Sequence, residues 1–170
     1  LLRDIRQREN RQIKCNYNSL LITNGGVVIG ISAVIGSGAN TPDTCASNSV
    51  IVTGSGSMWS NSSTLRLSTF KNSKLNYMQI LGSGVVYSAG GTIGAWGGRF
   101  LAPNDAPPST GNYVTGVGTG SVWNLGNQIL AIGASQDSVD SNNWLTVGPG
   151  GAVTNVGTLS INTNNIVNLY

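Results

Sequence analysis

Along most of the chain, apolar residues come in pairs separated by one position and followed by Gly, Ser or Asn. Leu20 and Ile22 form such a pair, as do Val50 and Val52, Leu65 and Leu67, and Met78 and Ile80. Leu130 and Ile132, Leu145 and Val147, and Leu159 and Ile161 continue the series. An apolar side chain at every second position describes a strand with one buried face. Beyond residue 14 no stretch keeps the i, i+3, i+4 stripe of a helix, and Gly and β-branched residues occur throughout. The pattern predicts strands of about five residues bounded by Gly and Asn.

These strands fall into a longer period. "LLITNGGVV" (20–28), "MQILGSGVV" (78–86) and "LTVGPGGAV" (145–153) align position for position, bringing Gly26, Gly84 and Gly151 together. The steps between the three copies are 58 and 67 residues. Between successive copies lies a Gly/Ser run closed by a tryptophan, "VTGSGSMW" ending at Trp59 and "GVGTGSVW" ending at Trp123. A short strand with one apolar face is not stable alone, but copies stacked at about 4.8 Å bury their faces in one continuous core. The expectation is therefore all-β: a parallel β-helix over residues 15–170, preceded by a separate arm, residues 1–14. With coils of about 20 residues it would have about eight coils and a length of about 40 Å. A β-sandwich is the alternative. It does not account for the three aligned glycine turns.

Composition agrees with stacking. Only 9% of residues are charged, 39% are hydrophobic, and there are 24 glycines. Like charges stacked from coil to coil repel, whereas Ser, Thr and Asn form neutral hydrogen-bonded rows. The net charge of +3 resides in the arm, where Arg3, Arg6, Arg8, Arg11 and Lys14 face Asp4 and Glu9. The rest of the chain is balanced and shows no basic patch interleaved with aromatics, so nucleic acid is not an expected partner. No apolar run is long enough to span a membrane as a helix. The charged opening is not followed by the apolar segment of a signal peptide, which reads as a mature chain or an excised piece.

At this point the repeat resembles that of bacterial autotransporter-type and sorting-signal-bearing surface proteins. There, "L-T-I-x-N-G-G-x-V" alternates with "N-x-V-x-V-x-G-x-G-S-x-W-x-N-S-G-x-L-x-V-G". "LLITNGGVV" followed by "SNSVIVTGSGSMWSNSSTLRLS" (47–68) is similar to one unit, and "GTGSVWNLGNQILAIG" (118–133) with "NNWLTVGPGGAV" to a second. The likeness runs over roughly residues 20–161, fits poorly through "GTIGAWGGRFLAPNDAPPS", and leaves residues 1–14 outside it. It implies a secreted or surface-displayed bacterial β-helix serving as stalk, adhesin or matrix component.

Candidate chemistry is sparse. With no His in the chain, neither a Ser-His-Asp nor a Cys-His arrangement can form. Six carboxylates are scattered, and Asp137 with Asp140 is the only close pair outside the arm, expected on a turn. Calcium-loop motifs are absent, so no metal, cofactor or catalytic residue is expected. Cys15 and Cys45 lack the companions of a zinc site. They form either a disulfide closing a 30-residue loop in a secreted chain, worth about 3–4 kcal/mol, or two separate buried thiols. Trp59 and Trp123 are either plugs above a glycine in the core or an exposed ladder that stacks on sugar rings.

The arm is the candidate interaction element. Leu2 and Ile5 would share one side of a short helix, with Arg3, Arg6, Arg8 and Arg11 supplying charge. It either covers the open end of the first coil or docks on a neighbouring copy. The chain stays strand-like through "LSINTNNIVNLY", which favours assembly. The expected function is thus an extracellular structural subunit assembling through its ends into a filament, sheath or stalk. The alternative is a surface adhesin module that binds glycans without catalysis.

Overall fold

The computed structural model describes residues 16–36, 45–69, 72–94, 108–133 and 140–170. The arm, with Leu2, Arg3, Ile5, Arg6, Arg8 and Arg11, lies outside the described residues, as does Cys15. No helix occurs among the described residues. The first coil runs through β1 (Ser19–Ile22), β2 (Val27–Gly30), β3 (Ala33–Ile35) and β4 (Cys45–Ala46). The second holds β5 (Ser49–Thr53), β6 (Met58–Asn61), β7 (Leu65–Leu67) and β8 (Ser73–Lys74). The third holds β9 (Tyr77–Leu81), β10 (Val85–Tyr87) and β11 (Gly91–Ile93), and the fourth β12 (Tyr113–Val117) and β13 (Ser121–Ile132). A fifth has β14 (Trp144–Val147) and β15 (Gly151–Ile161), and β16 (Ile166–Leu169) begins the next rung.

Three sides result. The first is a six-stranded sheet in the order β1-β5-β9-β12-β14-β16. The second is an eight-stranded sheet in which β13 pairs β10 along its first half and β11 along its second, and β15 stacks on β13. The third starts as β4 on β8 and continues through single bridges from Lys74 to Thr110 and from Thr110 to Ser141. The strand pairs are parallel throughout, which is a β-solenoid and excludes the antiparallel sandwich.

The expected coil count is corrected. The solenoid has about four turns, not eight. Successive rungs of the first sheet pair Ser19 with Ser49, Ser49 with Tyr77, Tyr77 with Tyr113 and Tyr113 with Trp144. A three-sided coil needs three strands, three corners and the connection entering the third side, which takes nearer 30 residues than 20. Each 58- or 67-residue repeat is therefore two coils. The glycine-turn copies are the first, third and fifth coils, and the tryptophan copies are the second and fourth.

The alternation has a local cause. Reverse turns leave the first side at 23–26, 81–84 and 148–151 in the odd coils. In the even coils the turns are 54–57 and 118–121, one residue later along the strand. That extra residue brings in Ser57 and Ser121, fully buried, whose hydroxyls accept the N–H of Gly25 and Ser83 in the coil before. Gly84 and Gly151 are required by close approach: a Cβ on either would overlap the carbonyl oxygen of Val52 or Gly116 one coil earlier. At Gly26, on the first coil, the nearest atom to such a Cβ is the Thr23 oxygen of its own turn, at 3.0 Å.

Inward side chains form columns. One runs Leu20, Val50, Met78, Val114, Leu145, Val167, and a second Ile22, Val52, Ile80, Gly116, Val147, Leu169. On the second side Val28, Trp59, Val86, Trp123 and Val153 stack in register. Beside them stand Ala33, Leu65, Gly91, Leu130, Leu159 and then Ile35, Leu67, Ile93, Ile132, Ile161. Each interior aliphatic member so buried contributes about 1.5–3 kcal/mol relative to exposure.

Candidate functional site: an asparagine ladder between two end rungs

An asparagine stands at the corner before every strand of the first side: Asn18, Asn48, Asn76, Asn112, Asn143 and Asn165. Each donates its side-chain amide to the Oδ1 of the asparagine one rung on, at 2.9, 2.8, 3.0, 2.9 and 3.0 Å in turn. The same oxygen accepts the backbone N–H of the donating residue, at 3.0–3.1 Å. An asparagine amide has two donors and an acceptor with two lone pairs, so translation by one rung reproduces the complement. The ladder has a direction. Asn18 lies at its acceptor end and Asn165 at its donor end.

Beneath the ladder, on the third side, lies a buried polar cluster. Ser68 and Ser109 share a hydroxyl contact of 2.6 Å, Ser109 Oγ donates to the Ser73 carbonyl, and Asn112 Nδ2 donates to Ser109 Oγ at 2.9 Å. The Ser109 N–H donates to Asp140 Oδ1 at 2.7 Å. Asp140 is thus a buried corner residue, not a surface turn residue, and Asp137 lies outside the described residues. The charged side chains among the described residues are Arg66, Lys74 and Asp140. Among those residues no three of His, Cys, Asp and Glu gather as metal ligands, and no helix is long and apolar enough to cross a membrane.

Trp59 and Trp123 point inward and are buried, with Val86 between them in the column. Trp123 Nε1 donates to Ser88 Oγ at 2.9 Å, and its ring fills the space where Gly91 has no side chain. Neither indole presents a face to a sugar. The outward aromatics sit elsewhere: Tyr77, Tyr113 and Trp144 stack ring on ring at 5.1 and 4.7 Å, nearly coplanar. Burial pushes the Tyr113 phenol above the usual tyrosine range, and the neighbouring Tyr77 adds to it. Rings stacked this way cover one another's faces and leave edges to solvent. Asn61, the head of the Asn-Ser-Ser sequon, is buried and closed to glycosylation in the folded chain. Cys45 is buried and disulfide-bonded, and Asn48 Nδ2 approaches its Sγ at 3.7 Å.

The two ends differ from the middle. On the first rung Leu20 is 40% exposed, and on the last Leu169 is 72% exposed, although interior members of their columns are buried. A pocket of about 360 Å³ opens at the first rung among Leu20, Val34, Ile35, Val50 and Trp59. Sequence reasoning found the columns but missed the ladder. Its signal is an Asn immediately before each alternating pair, as in "NSLL", "NSVI", "NYMQ", "NYVT" and "NWLT".

The fold defines the class of protein as a parallel β-solenoid. No family model, no curated protein and no solved structure matches the chain.

Proposed function

We propose that the chain is an extracellular, non-catalytic structural protein, a β-solenoid subunit of a bacterial surface filament, sheath or adhesin stalk that assembles through its ends. The observation that carries this reading is the exposure of core-column residues on the first and last rungs. An apolar rung with an unpaired backbone edge is a template for another rung. The polar chemistry of the interior is spent on holding coils together, through the ladder and the serine cluster. The disulfide at Cys45 supports an oxidising compartment. The resemblance of the repeat to bacterial surface proteins supports the same setting. The glycan-binding reading rested on Trp59 and Trp123 standing outward, and both are core residues.

Sedimentation velocity of the purified chain over a wide concentration range tests this reading, with and without residues 1–14. Concentration-dependent growth to long species is expected. A single monomeric species at every concentration contradicts it, and growth that is unchanged by removing residues 1–14 excludes the arm as the docking element.

A further inference from the structure

The following rests on the reading of end-to-end assembly and specifies its contact. We propose that the last rung of one copy receives the first rung of a second copy in the register that joins successive coils within the chain. Asn165 then stands against Asn18 of the second copy, Val167 against Leu20 and Leu169 against Ile22.

Three observations carry the register. First, one backbone bond recurs at every rung. The residue after each ladder asparagine donates its N–H to the asparagine carbonyl of the rung before: Ser49 to Asn18, Tyr77 to Asn48, Tyr113 to Asn76, Trp144 to Asn112 and Ile166 to Asn143, at 2.8–3.0 Å. The Asn165 carbonyl is next in that series, and no described residue donates to it. Ser19, which follows the ladder's first asparagine, is the equivalent donor on a second copy.

Second, the ladder is polar and its ends are complementary. Every later asparagine accepts two hydrogen bonds at Oδ1, whereas no described residue donates to the Oδ1 of Asn18. Asn165 uses its donors within its own rung: its N–H reaches the Asn162 carbonyl at 3.3 Å and its amide reaches the Thr163 carbonyl at 2.8 Å. Its amide also donates to the Asp140 carbonyl, as the amide of Asn112 does to Ser73, so that hydrogen already has its interior partner. On docking, the N–H and the second amide hydrogen turn to Asn18 Oδ1.

Third, the apolar columns continue. Besides the pairs on the first side, Val153 meets Val28, Leu159 meets Ala33 and Ile161 meets Ile35 across the junction. Leu159 and Ile161 are 49% and 46% exposed on the last coil, and the pocket on the first coil lies among the side chains they would contact. The contact is heterologous and repeats by translation, so it builds an open rod and not a closed dimer.

Cross-linking of the full chain tests the register. Outward on the first side, Asn168 ends the row that Leu21 begins, so the two adjoin only across the junction. Chains carrying Asn168→Cys and Leu21→Cys are mixed and treated with a short thiol-reactive cross-linker, alongside an Asn168→Cys and Ile51→Cys mixture. Cross-linked dimer in the first mixture alone is expected, together with loss of growth for Leu169→Lys, whose exposed site leaves the monomer folded. Growth with equal cross-linking in both mixtures, or in neither, overturns the register while leaving assembly standing. A wild-type chain that stays monomeric in sedimentation overturns assembly itself.

Discussion

Asn112 accepts at a single oxygen both the backbone N–H and the side-chain amide of Asn76, each at 3.0 Å. Both residues are fully buried, and the relationship repeats from Asn18 to Asn165. A row of neutral amides binds coil to coil without the repulsion that stacked charges would bring.

Removing the middle of this row leaves the donors of Asn76 and the acceptor of Asn143 buried without partners. Asn112→Ala should therefore cost about 3–4 kcal/mol, well above an ordinary hydrogen bond. Asn18→Ala removes one exposed side-chain bond and should cost less than about 1 kcal/mol. Urea unfolding midpoints measure both. Equal small losses would mean that the ladder is incidental to stability.

Two glycines on inward positions should respond with opposite signs. A Cβ at Gly91 would lie 2.5 Å from Trp123 Cζ2, so Gly91→Ala must displace a buried indole and should cost about 2–3 kcal/mol. At Gly116, also buried, no atom lies within 4 Å of the added carbon. Gly116→Ala should stabilise by about 0.5–1 kcal/mol, by stiffening the unfolded chain. Thermal melting of the two variants decides, and a shared sign contradicts the packing described.

Alkali should loosen the first side. The Tyr113 phenol is raised above its ordinary value of 10.0, first by burial and then by Tyr77, so the folded state favours its neutral form. This contribution is complete below the unfolded value and is lost as pH rises past it through the folded one. Melting temperatures should fall between about pH 9 and pH 11, less steeply in Tyr113→Phe. Identical slopes for variant and wild type would remove Tyr113 as the cause.

Reduction should act on the first coil. Cys45 is disulfide-bonded, and Cys15 is the only other cysteine in the chain. Their separation of 30 residues equals that of Asn18 and Asn48, so the bond joins equivalent positions of neighbouring rungs. Reductant should lower stability by about 3–4 kcal/mol at most, with hydrogen exchange rising first in β1 and β4. Uniform exchange along the solenoid would contradict a local clasp.

The strand positions and the inward pairs were legible because period-two alternation survives in Val50–Val52, Met78–Ile80 and Leu145–Val147 whatever the coil length. Coil number was not. The steps of 58 and 67 residues came from like turns meeting like turns, and those recur only every second coil. The ladder was hidden for a related reason. Its spacings of 30, 28, 36, 31 and 22 residues vary because the connections entering the third side differ in length. A fixed period cannot find it, whereas an Asn placed before each apolar alternation does. Trp59 and Trp123 read equally as core or surface, since local sequence does not reveal that Gly91 leaves room for the Trp123 ring.

The most direct test of the account is electron microscopy of the purified chain at neutral pH. Six rungs on the first side, stacked at about 4.8 Å, give an axial repeat of about 29 Å per copy. Filaments with that repeat, and a layer spacing near 4.8 Å, are the result predicted here. Isolated short rods at every concentration would contradict assembly through the ends.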